Sequence, residues 1–372
     1  MNRSSHYLYS KSSFRLFTVA LVLCLGYTCQ PAAEAYVCPP CDQSCDTLTF
    51  KTAGNCPHCG MALVLKSELT VAKPLVLNEI RLQPGSGVFE IEGGLGREDK
   101  TIKVFYHRPK SFSKDSKILL VIPGAGRNGD SYRDAWVEES EKYNVLILSP
   151  MYAEKDYPFT DYHLGGLMRN TNLRSAIQYV ENTNQVNLDE GKLTFELNTE
   201  PQDWIFGDFD RIFDLVVAAT QSKQIEYDIF GHSAGGQILH RFTIFQPKSK
   251  ARHILAGNSG FYTLPTTSAS LPFGTQGIEI TKADLEMAFS KRLVLFLGEL
   301  DNAEEQGGTL LRSPSADKQG LHRLARGTYF YETSKNIAQG LGVPYEWKIE
   351  VVPQVGHNHR IMGDAAAKFL YE

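Results

Sequence analysis

From residue 117 to the carboxyl terminus, largely apolar runs of three to six residues alternate with stretches in which apolar residues recur at helical spacing. Such runs predict strands that are buried on both faces, as in a parallel sheet covered by helices. The alternation of the two patterns predicts an α/β fold. The runs are residues 117–122, 145–148, 225–230, 254–256, 292–297 and 347–352.

Shorter segments with alternating apolar residues come before residue 117 and predict antiparallel strands at one edge of the sheet. They are residues 75–82, 88–91 and 101–106. By contrast, residues 151–205 interrupt the strand–helix alternation and are rich in Tyr, Asn, Asp and Thr. An insertion of this kind predicts a lid over a substrate site. Residues 208–220 have helical spacing, and we expect Asp208 to cap that helix.

Ser233 lies where a strand pattern changes to a helix pattern. The strand ends at Gly231 and helical spacing resumes after Gly236, while Gly231 and Gly235 frame the serine as Gly-x-Ser-x-Gly. A sharp strand-to-helix corner needs residues without bulk on both sides. The amino end of a helix also favours developing negative charge. Ser233 is therefore the candidate nucleophile of an acyl-transfer reaction.

The Gly-x-Ser-x-Gly corner resembles that of the α/β-hydrolases, and this resemblance implies an acid and a base that follow the nucleophile along the chain, each at the end of a later strand. Asp301 follows a strongly apolar run and is the candidate acid, with Glu299 as the alternative. His357 follows the last predicted strand and is the candidate base, with His359 as the alternative. His322 also lies downstream, but it falls in a helix-like stretch and is expected at the surface.

Together these motifs resemble those of the α/β-hydrolases, and more narrowly of secreted bacterial esterases related to polyhydroxybutyrate depolymerases. The resemblance implies a Ser-Asp-His triad that needs no cofactor and an oxyanion hole formed by the backbone N–H groups of Ala125 and Ala234. It also implies an ester substrate, either a small molecule or a polymer. A serine peptidase is the alternative within the same class. The motifs are Pro-Gly-Ala-Gly-Arg-Asn from Pro123, Gly-His-Ser-Ala-Gly-Gly from Gly231, Gly-Phe-Tyr-Thr-Leu-Pro from Gly260, Gly-Glu-Leu-Asp from Gly298 and Val-Gly-His from Val355.

Composition and charge divide the chain into two parts. All seven cysteines of the 372 residues lie within the first 59. The net charge of −4 gives no electrostatic reason to expect a nucleic-acid partner. The hydrophobic content of 42% is that of an ordinary soluble globular protein.

The amino terminus has the pattern of a secretory signal peptide. Residues 1–15 carry three basic residues and no acid, residues 16–26 are apolar but short for a membrane span, and an Ala-x-Ala site ends at Ala35. We expect cleavage of residues 1–35, which leaves no membrane span and places the mature chain in the periplasm or outside the cell. An uncleaved anchor and a lipoprotein cleaved before Cys29 are the alternatives.

Two Cys-x-x-Cys pairs, Cys38 with Cys41 and Cys56 with Cys59, present four sulfurs at a spacing suited to tetrahedral zinc. Residues 36–65 resemble the heavy-metal-binding domain of bacterial copper and zinc export proteins, through Tyr-Val-Cys-Pro at the first pair and Cys-Pro-His-Cys-Gly-Met at the second. Pro-Cys replaces the Met-His of that pattern, which shifts the expected metal from copper to zinc. A disulfide-bonded module is the alternative.

The predicted organisation is a signal peptide, the cysteine module over residues 36–65, a linker over residues 66–74 and a hydrolase domain over residues 75–372. An esterase is the first functional hypothesis. The second is a periplasmic metal-binding protein whose hydrolase fold is an inactive scaffold.

Overall fold

The structure is a computed structural model that describes residues 35–37, 48–57, 62–66 and 80–372. The chain divides into two compact units, Met1–Ala72 and Lys73–Glu372. In the first unit, short antiparallel strands form a sheet of order β2-β1-β3. These strands are β1 (Tyr36–Val37), β2 (Thr49–Phe50) and β3 (Val64–Leu65).

The second unit is an α/β structure. Its strands are β4 (Gly85–Glu92), β5 (Thr101–Arg108), β6 (Lys117–Ile122), β7 (Val145–Tyr152), β8 (Met168–Arg169), β9 (Ile177–Tyr179), β10 (Gln185–Leu188), β11 (Glu196–Leu197), β12 (Tyr227–His232), β13 (Ala251–Gly257), β14 (Arg292–Gly298), β15 (Leu310–Arg312) and β16 (Lys348–Val352).

The helices of this unit lie between the strands. They are α1 (Gly129–Asp134), α2 (Val137–Tyr143), α3 (Phe159–His163), α4 (Leu173–Ala176), α5 (Phe206–Thr220), α6 (Ala234–Phe245), α7 (Lys282–Phe289), α8 (Pro314–Gln319), α9 (Arg323–Leu341) and α10 (His359–Tyr371). Within the described part of the chain, no helix is both long enough and apolar enough to cross a bilayer.

The main sheet has eight strands in the order β16-β14-β13-β12-β6-β7-β5-β4. The six strands from β16 to β7 are parallel, and β5 and β4 complete the edge in antiparallel fashion. This architecture confirms the predicted α/β fold. Since parallel strands end at one edge of a sheet, the loops that follow β6, β12, β14 and β16 meet there.

Strand β6 shows why continuous apolar runs predicted the core. Leu120 and Ile122 belong to the hydrophobic cluster on one face of the sheet, and Leu119 and Val121 belong to the cluster on the other face. All four side chains are fully buried. A strand covered on both faces needs apolar residues at every position, so its bounds agree with the run from residue 117 to 122.

Three expectations for the elements were wrong in detail. Residues 80–83 form no strand, and residues 75–79 lie outside the described part of the chain. Strand β7 continues to Tyr152, because its second half pairs with β5. Asp208 does not cap α5: its carboxylate is buried in the first turn and binds Arg97 at 3.2 Å and Arg211 at 3.1 Å.

The predicted insertion, residues 151–205, folds into short elements from α3 to β11. Strand β10 pairs with β9 and also with β15, which lies outside the insertion. Tyr162 of α3 donates a hydrogen bond to the carbonyl of Pro123 at 2.7 Å. These contacts attach the insertion to the body of the second unit.

Candidate active site

Ser233 lies at the corner between β12 and α6, at the carboxyl edge of the sheet. Its backbone has φ 59° and ψ −114°, a region that residues other than glycine rarely adopt. Its N–H donates to the carbonyl of Gly257 at 2.9 Å, which fixes the corner against β13. Strain of this kind lifts the hydroxyl clear of the sheet. Ser233 therefore has the backbone geometry of a nucleophile elbow.

Two glycines allow this corner to form. A Cβ atom at Gly231 would lie 2.6 Å from the backbone of Gly235. A Cβ atom at Gly235 would overlap the carbonyl of Ile122 at the end of β6. Because backbone atoms cannot move aside cheaply in a packed interior, neither position has room for a side chain. The Gly-x-Ser-x-Gly spacing follows from the packing of α6 against β6 and β12.

Asp301 and His357 form a hydrogen-bonded pair. The Oδ2 atom of Asp301 lies 2.7 Å from Nδ1 of His357. Asp301 follows β14 and its side chain is 1% exposed, while His357 follows β16 and its side chain is 6% exposed. A carboxylate that accepts from Nδ1–H holds the ring in the tautomer whose Nε2 accepts a proton.

Ser233 and His357 line the same cavity, which has a volume of about 930 Å³. The ring of His232, next to the serine, lies 4.5 Å from the ring of His357 between centroids. Among the described residues, the hydroxyl of Ser233 has no hydrogen-bond partner. In enzymes without bound substrate, the hydrogen bond between the nucleophile and the base is often long, and it tightens when the substrate enters.

Ala125 and Ala234 line the same cavity. Neither of their backbone N–H groups donates to another atom of the described residues. The turn that carries Ala125 is fixed by Arg127, whose buried guanidinium donates to the carbonyl of Tyr152 at 3.1 Å. Two free amides beside a nucleophile are what an oxyanion hole requires.

Asn258 is a fully buried residue that the sequence analysis did not assign to the site. Its Oδ1 accepts from the N–H of Gly298 at 2.8 Å, and its Nδ2 donates to the carbonyl of Gly356 at 3.2 Å. One side chain thus joins the ends of β13 and β14 to the loop of the base. Its position in a Gly-Asn-Ser-Gly strand end was visible in the sequence, but its partners were not.

Arg323 and Glu305 were also missed, and both contact the acid–base pair. Arg323 Nη1 donates to Oδ1 of Asp301 at 3.0 Å. Glu305 Oε2 accepts from the backbone N–H of His357 at 2.6 Å. The one available signal was chemical: a buried carboxylate needs a second partner besides a histidine.

The alternative acid and the alternative base take no part in the hydrogen-bonded pair, although His359 lines the same cavity. Glu299 is exposed and accepts from the N–H of Gln354 at 2.8 Å. His359 stacks on the ring of Tyr132 with centroids 4.4 Å apart, and burial lowers its pKa. His322, which was expected at the surface, is half-buried and caps α9 by accepting from the N–H of Ala325.

Much of the cavity wall comes from the insertion at residues 151–205. Its contribution is mostly apolar, and Phe261, which lies outside the insertion, adds an aromatic side chain. His163 also lines the cavity, and burial together with nearby arginines lowers its pKa to about 3. The ring is therefore neutral at neutral pH. The apolar residues of the insertion include Phe159, Leu164, Met168, Leu173 and Ile177.

In the first unit, Cys56 is the one candidate metal ligand that the structure describes. Its thiol is buried and free of any disulfide. Cys38, Cys41 and Cys59 lie outside the described residues. Within residues 35–37, 48–57, 62–66 and 80–372, no group of three or more His, Cys, Asp or Glu side chains could hold a metal ion. A free buried thiol fits a thiolate ligand.

Residues 35–66 match the family model of the heavy metal binding domain. The chain is similar to the solved structure of poly(aspartic acid) hydrolase-1 from Sphingomonas sp. KT-1, with 32% identity and a TM-score of 0.66 over 78% of this chain and 100% of that chain. It is also similar to LpqC, a poly(3-hydroxybutyrate) depolymerase from Bordetella parapertussis, with 25% identity and a TM-score of 0.66 over 78% of this chain and 90% of that chain. None of the curated proteins matches the chain.

Proposed function

The chain belongs to the α/β-hydrolases and is a serine hydrolase of the ester-hydrolysing kind, and on this basis we propose that Ser233, Asp301 and His357 are its catalytic triad. The observation that carries the proposal is the 2.7 Å hydrogen bond between the acid and the base, whose ring lines the same cavity as a serine at a strained strand-to-helix corner. The backbone amides of Ala125 and Ala234 are proposed as the oxyanion hole.

The reaction follows from these positions. Nε2 of His357 accepts the hydroxyl proton of Ser233 while Oγ attacks the carbonyl carbon, and Asp301 stabilises the imidazolium that forms. The two amides bind the oxygen as it becomes negative. The protonated ring then gives its proton to the departing alcohol, leaving an acyl-enzyme. Water, deprotonated by the same ring, attacks the acyl-enzyme and releases the acid and the free serine.

Replacement of the nucleophile tests the proposal. We expect Ser233→Ala to lower kcat on a short-chain aryl ester by about 10³-fold or more and to abolish labelling by a fluorophosphonate probe. Ser268→Ala, at an exposed serine outside the cavity, is the control and should keep the wild-type kcat and the labelling by the probe. Wild-type activity in the Ser233→Ala protein would rule the triad out. An unlabelled wild-type protein that is fully folded would favour the inactive scaffold.

The apolar cavity supports an ester with an apolar acyl group over a charged one, because burying an unpaired charge against apolar walls is costly. A panel that contains aryl esters, oligomers of 3-hydroxybutyrate, oligomers of aspartic acid and short peptides tests this preference. A higher kcat/KM on peptides than on any ester would favour the peptidase alternative.

For the first unit we propose a structural zinc held by Cys38, Cys41, Cys56 and Cys59. The match over residues 35–66 and the free buried thiol of Cys56 support it. When bound, such a metal can replace the hydrophobic core that a module of this length cannot build. Metal analysis combined with thiol titration of the purified protein tests the assignment. Because the number of cysteines is odd, protein without metal and with a single free thiol per chain would instead establish the disulfide-bonded module.

Export to the periplasm or the cell exterior is the last part of the proposal, supported by the sequence pattern of residues 1–35. Amino-terminal sequencing of the protein recovered from its native cells should begin at Tyr36. A mature chain that begins at Cys29 and carries lipid would show the lipoprotein alternative, and a chain that retains the apolar run would show an uncleaved anchor.

A further inference from the structure

The acid–base pair lies between two opposite charges that the proposed triad does not include. Arg323 contacts the carboxylate oxygen of Asp301 that His357 does not use, with Nη1 at 3.0 Å from Oδ1. The carboxylate of Glu305 contacts the backbone of His357, with Oε2 at 2.6 Å from the amide nitrogen. Both charged residues line a separate cavity of about 300 Å³, so they do not face the substrate.

We propose that Arg323 and Glu305 are positioning residues, which fix the acid and base loops against each other and place one charge of each sign beside the acid–base pair. This inference rests on the proposed function, since it concerns the residues assigned there as acid and base. It adds two residues whose roles can be measured separately from the nucleophile.

Arg323 holds the carboxylate of Asp301 in place. The side chains of Arg323 and Asp301 are 2% and 1% exposed. The second guanidinium nitrogen, Nη2, donates to the carbonyl of Thr309 at 3.0 Å. With Oδ1 committed to the arginine, Oδ2 is the oxygen left for Nδ1 of His357. A planar guanidinium that binds a carboxylate and a carbonyl at once has little freedom to turn.

The same arginine holds the segment that passes over the base. Gly308 lies in this segment with φ 63°, a left-handed conformation that favours glycine. A Cβ atom there would lie 2.7 Å from Nε2 of His357 and 3.2 Å from Nη2 of Arg323. The chain therefore passes directly against the ring of the base, and the bond from Arg323 to the next residue, Thr309, keeps it in place.

Glu305 joins the two loops through main-chain contacts. Its Oε1 accepts from the N–H of Gly307 at 2.6 Å, and its Oε2 accepts from the N–H of His357. Burial alone would raise the pKa of the Glu305 carboxyl, but these two hydrogen bonds and the attraction to His357 outweigh it, and the pKa is lowered. The side chain is therefore a carboxylate at neutral pH.

The two charges act on His357 with opposite sign. A carboxylate favours the protonated ring, and a guanidinium beside its acid disfavours it. Burial holds the pKa of His232 and the pKa of His359 below the ordinary value, so both neighbouring rings are neutral at neutral pH. The titratable and charged groups around His357 are Asp301, Glu305, His232, His359, Arg323, Arg360 and Tyr132.

The pH dependence of kcat/KM separates this role from a purely structural one. The rate falls at acid pH as the base becomes protonated. Glu305→Gln should move the acid limb of the profile to lower pH by about one unit, and Arg323→Gln should move it to higher pH by a similar amount. Arg323→Lys keeps the charge and should leave the acid limb of the profile in place. We expect kcat to fall about 10-fold, because a lysine cannot make the two contacts that the guanidinium makes with Asp301 and Thr309.

Glu304→Gln is the matched control for the carboxylate, because it removes the same charge from the exposed neighbouring position. Its limb should coincide with that of the wild type. Circular dichroism and thermal melting show whether Arg323→Gln folds. If it does not, the pH profile of Glu305→Gln alone tests the inference, because Glu305 is partly exposed. A Glu305→Gln limb that does not move, or that moves to higher pH, overturns the inference. Full activity in Ser233→Ala would overturn the proposed triad instead.

Discussion

Single buried polar residues set the geometry of this site more than apolar ones do. Asn258 is the clearest case, because its amide bonds both the acid strand at Gly298 and the base loop at Gly356. Its Nδ2 also lies 3.4 Å from Nε2 of His232. A fully buried amide with partners on two loops has no solvent to replace either one. The distance between the acid and the base therefore depends on this residue.

We expect Asn258→Ala to lower the free energy of unfolding by about 1–3 kcal/mol, because it leaves a buried N–H group and a buried carbonyl unpaired. We also expect kcat to fall more than KM rises, since the acid and base loops separate while the cavity wall is unchanged. Urea unfolding and steady-state kinetics on an aryl ester measure the two effects.

Asn302→Ala is the control for this prediction. Asn302 lies in the acid loop as well, but both of its side-chain contacts are exposed and stay within that loop: Nδ2 lies 3.5 Å from the carbonyl of Glu299, and Oδ1 accepts from the N–H of Glu304 at 3.0 Å. Its unfolding free energy and kcat should stay close to those of the wild type. Equal losses in the two variants would mean that the acid loop as a whole, and not the bridge made by Asn258, is sensitive to substitution.

The three proposed catalytic side chains could be located from the sequence because each follows a strongly patterned strand. The order of the triad along the chain, which the resemblance to the α/β-hydrolases implies, then left few candidates for the acid and the base. Arg323 and Glu305 could not be found in this way, since nothing local distinguishes the first arginine of a long helix or one of two adjacent glutamates in a polar loop. Their roles depend on contacts between segments that only the folded chain brings together.

At the scale of elements, helix α3 of the insertion is joined to the proposed oxyanion turn. The hydroxyl of Tyr162 donates to the carbonyl of Pro123 at 2.7 Å, and the ring lies under the guanidinium of Arg127, 4.8 Å from its centroid. Burial raises the pKa of Tyr162 well above its ordinary value, so the hydroxyl remains a donor. The position of the turn that carries Ala125 thus depends on the insertion.

Tyr162→Phe should lower kcat about 10-fold with a small change in KM, because the turn loses the contact that orients its amide. The unfolding free energy should fall by about 1 kcal/mol for the lost hydrogen bond. Tyr227→Phe is the matched control: Tyr227 is also buried, and its hydroxyl donates to Asp210 at 2.8 Å at the start of β12. The free energy of unfolding of Tyr227→Phe should fall by a similar amount, while its kcat stays that of the wild type. A fall in kcat in both variants would point to general destabilisation.

The strands of the core were predictable as elements, while the ends of elements and the insertion were not. The bounds of β6 were predicted because every position after Lys117 is buried, but β7 extends beyond its apolar run through pairing with β5. The insertion gave no periodic pattern because its elements, such as β8 and α4, are two to four residues long. Asp208 was expected to cap a helix, yet it binds Arg97 from a distant turn.

At the scale of the whole molecule, the two units divide the chemistry between them. Every residue assigned to the nucleophile, acid, base and oxyanion hole lies in Lys73–Glu372, and every cysteine lies in Met1–Ala72. The core of the second unit is a hydrophobic cluster on each face of its own sheet. A unit of that size buries enough apolar surface to fold without a metal or a disulfide.

The shortened chain Lys73–Glu372 should therefore fold cooperatively and retain kcat/KM on a soluble aryl ester within about twofold of the full chain, since all the groups that touch the reacting atoms are present. The matched comparison is the full chain with Cys56→Ser, which should lose bound zinc and yet keep the same kcat/KM. A large loss of activity in both variants would show that the cysteine module acts on catalysis. A loss only in the shortened chain would instead show that residues before Lys73 are needed for the second unit to fold, because the Cys56→Ser protein still contains them.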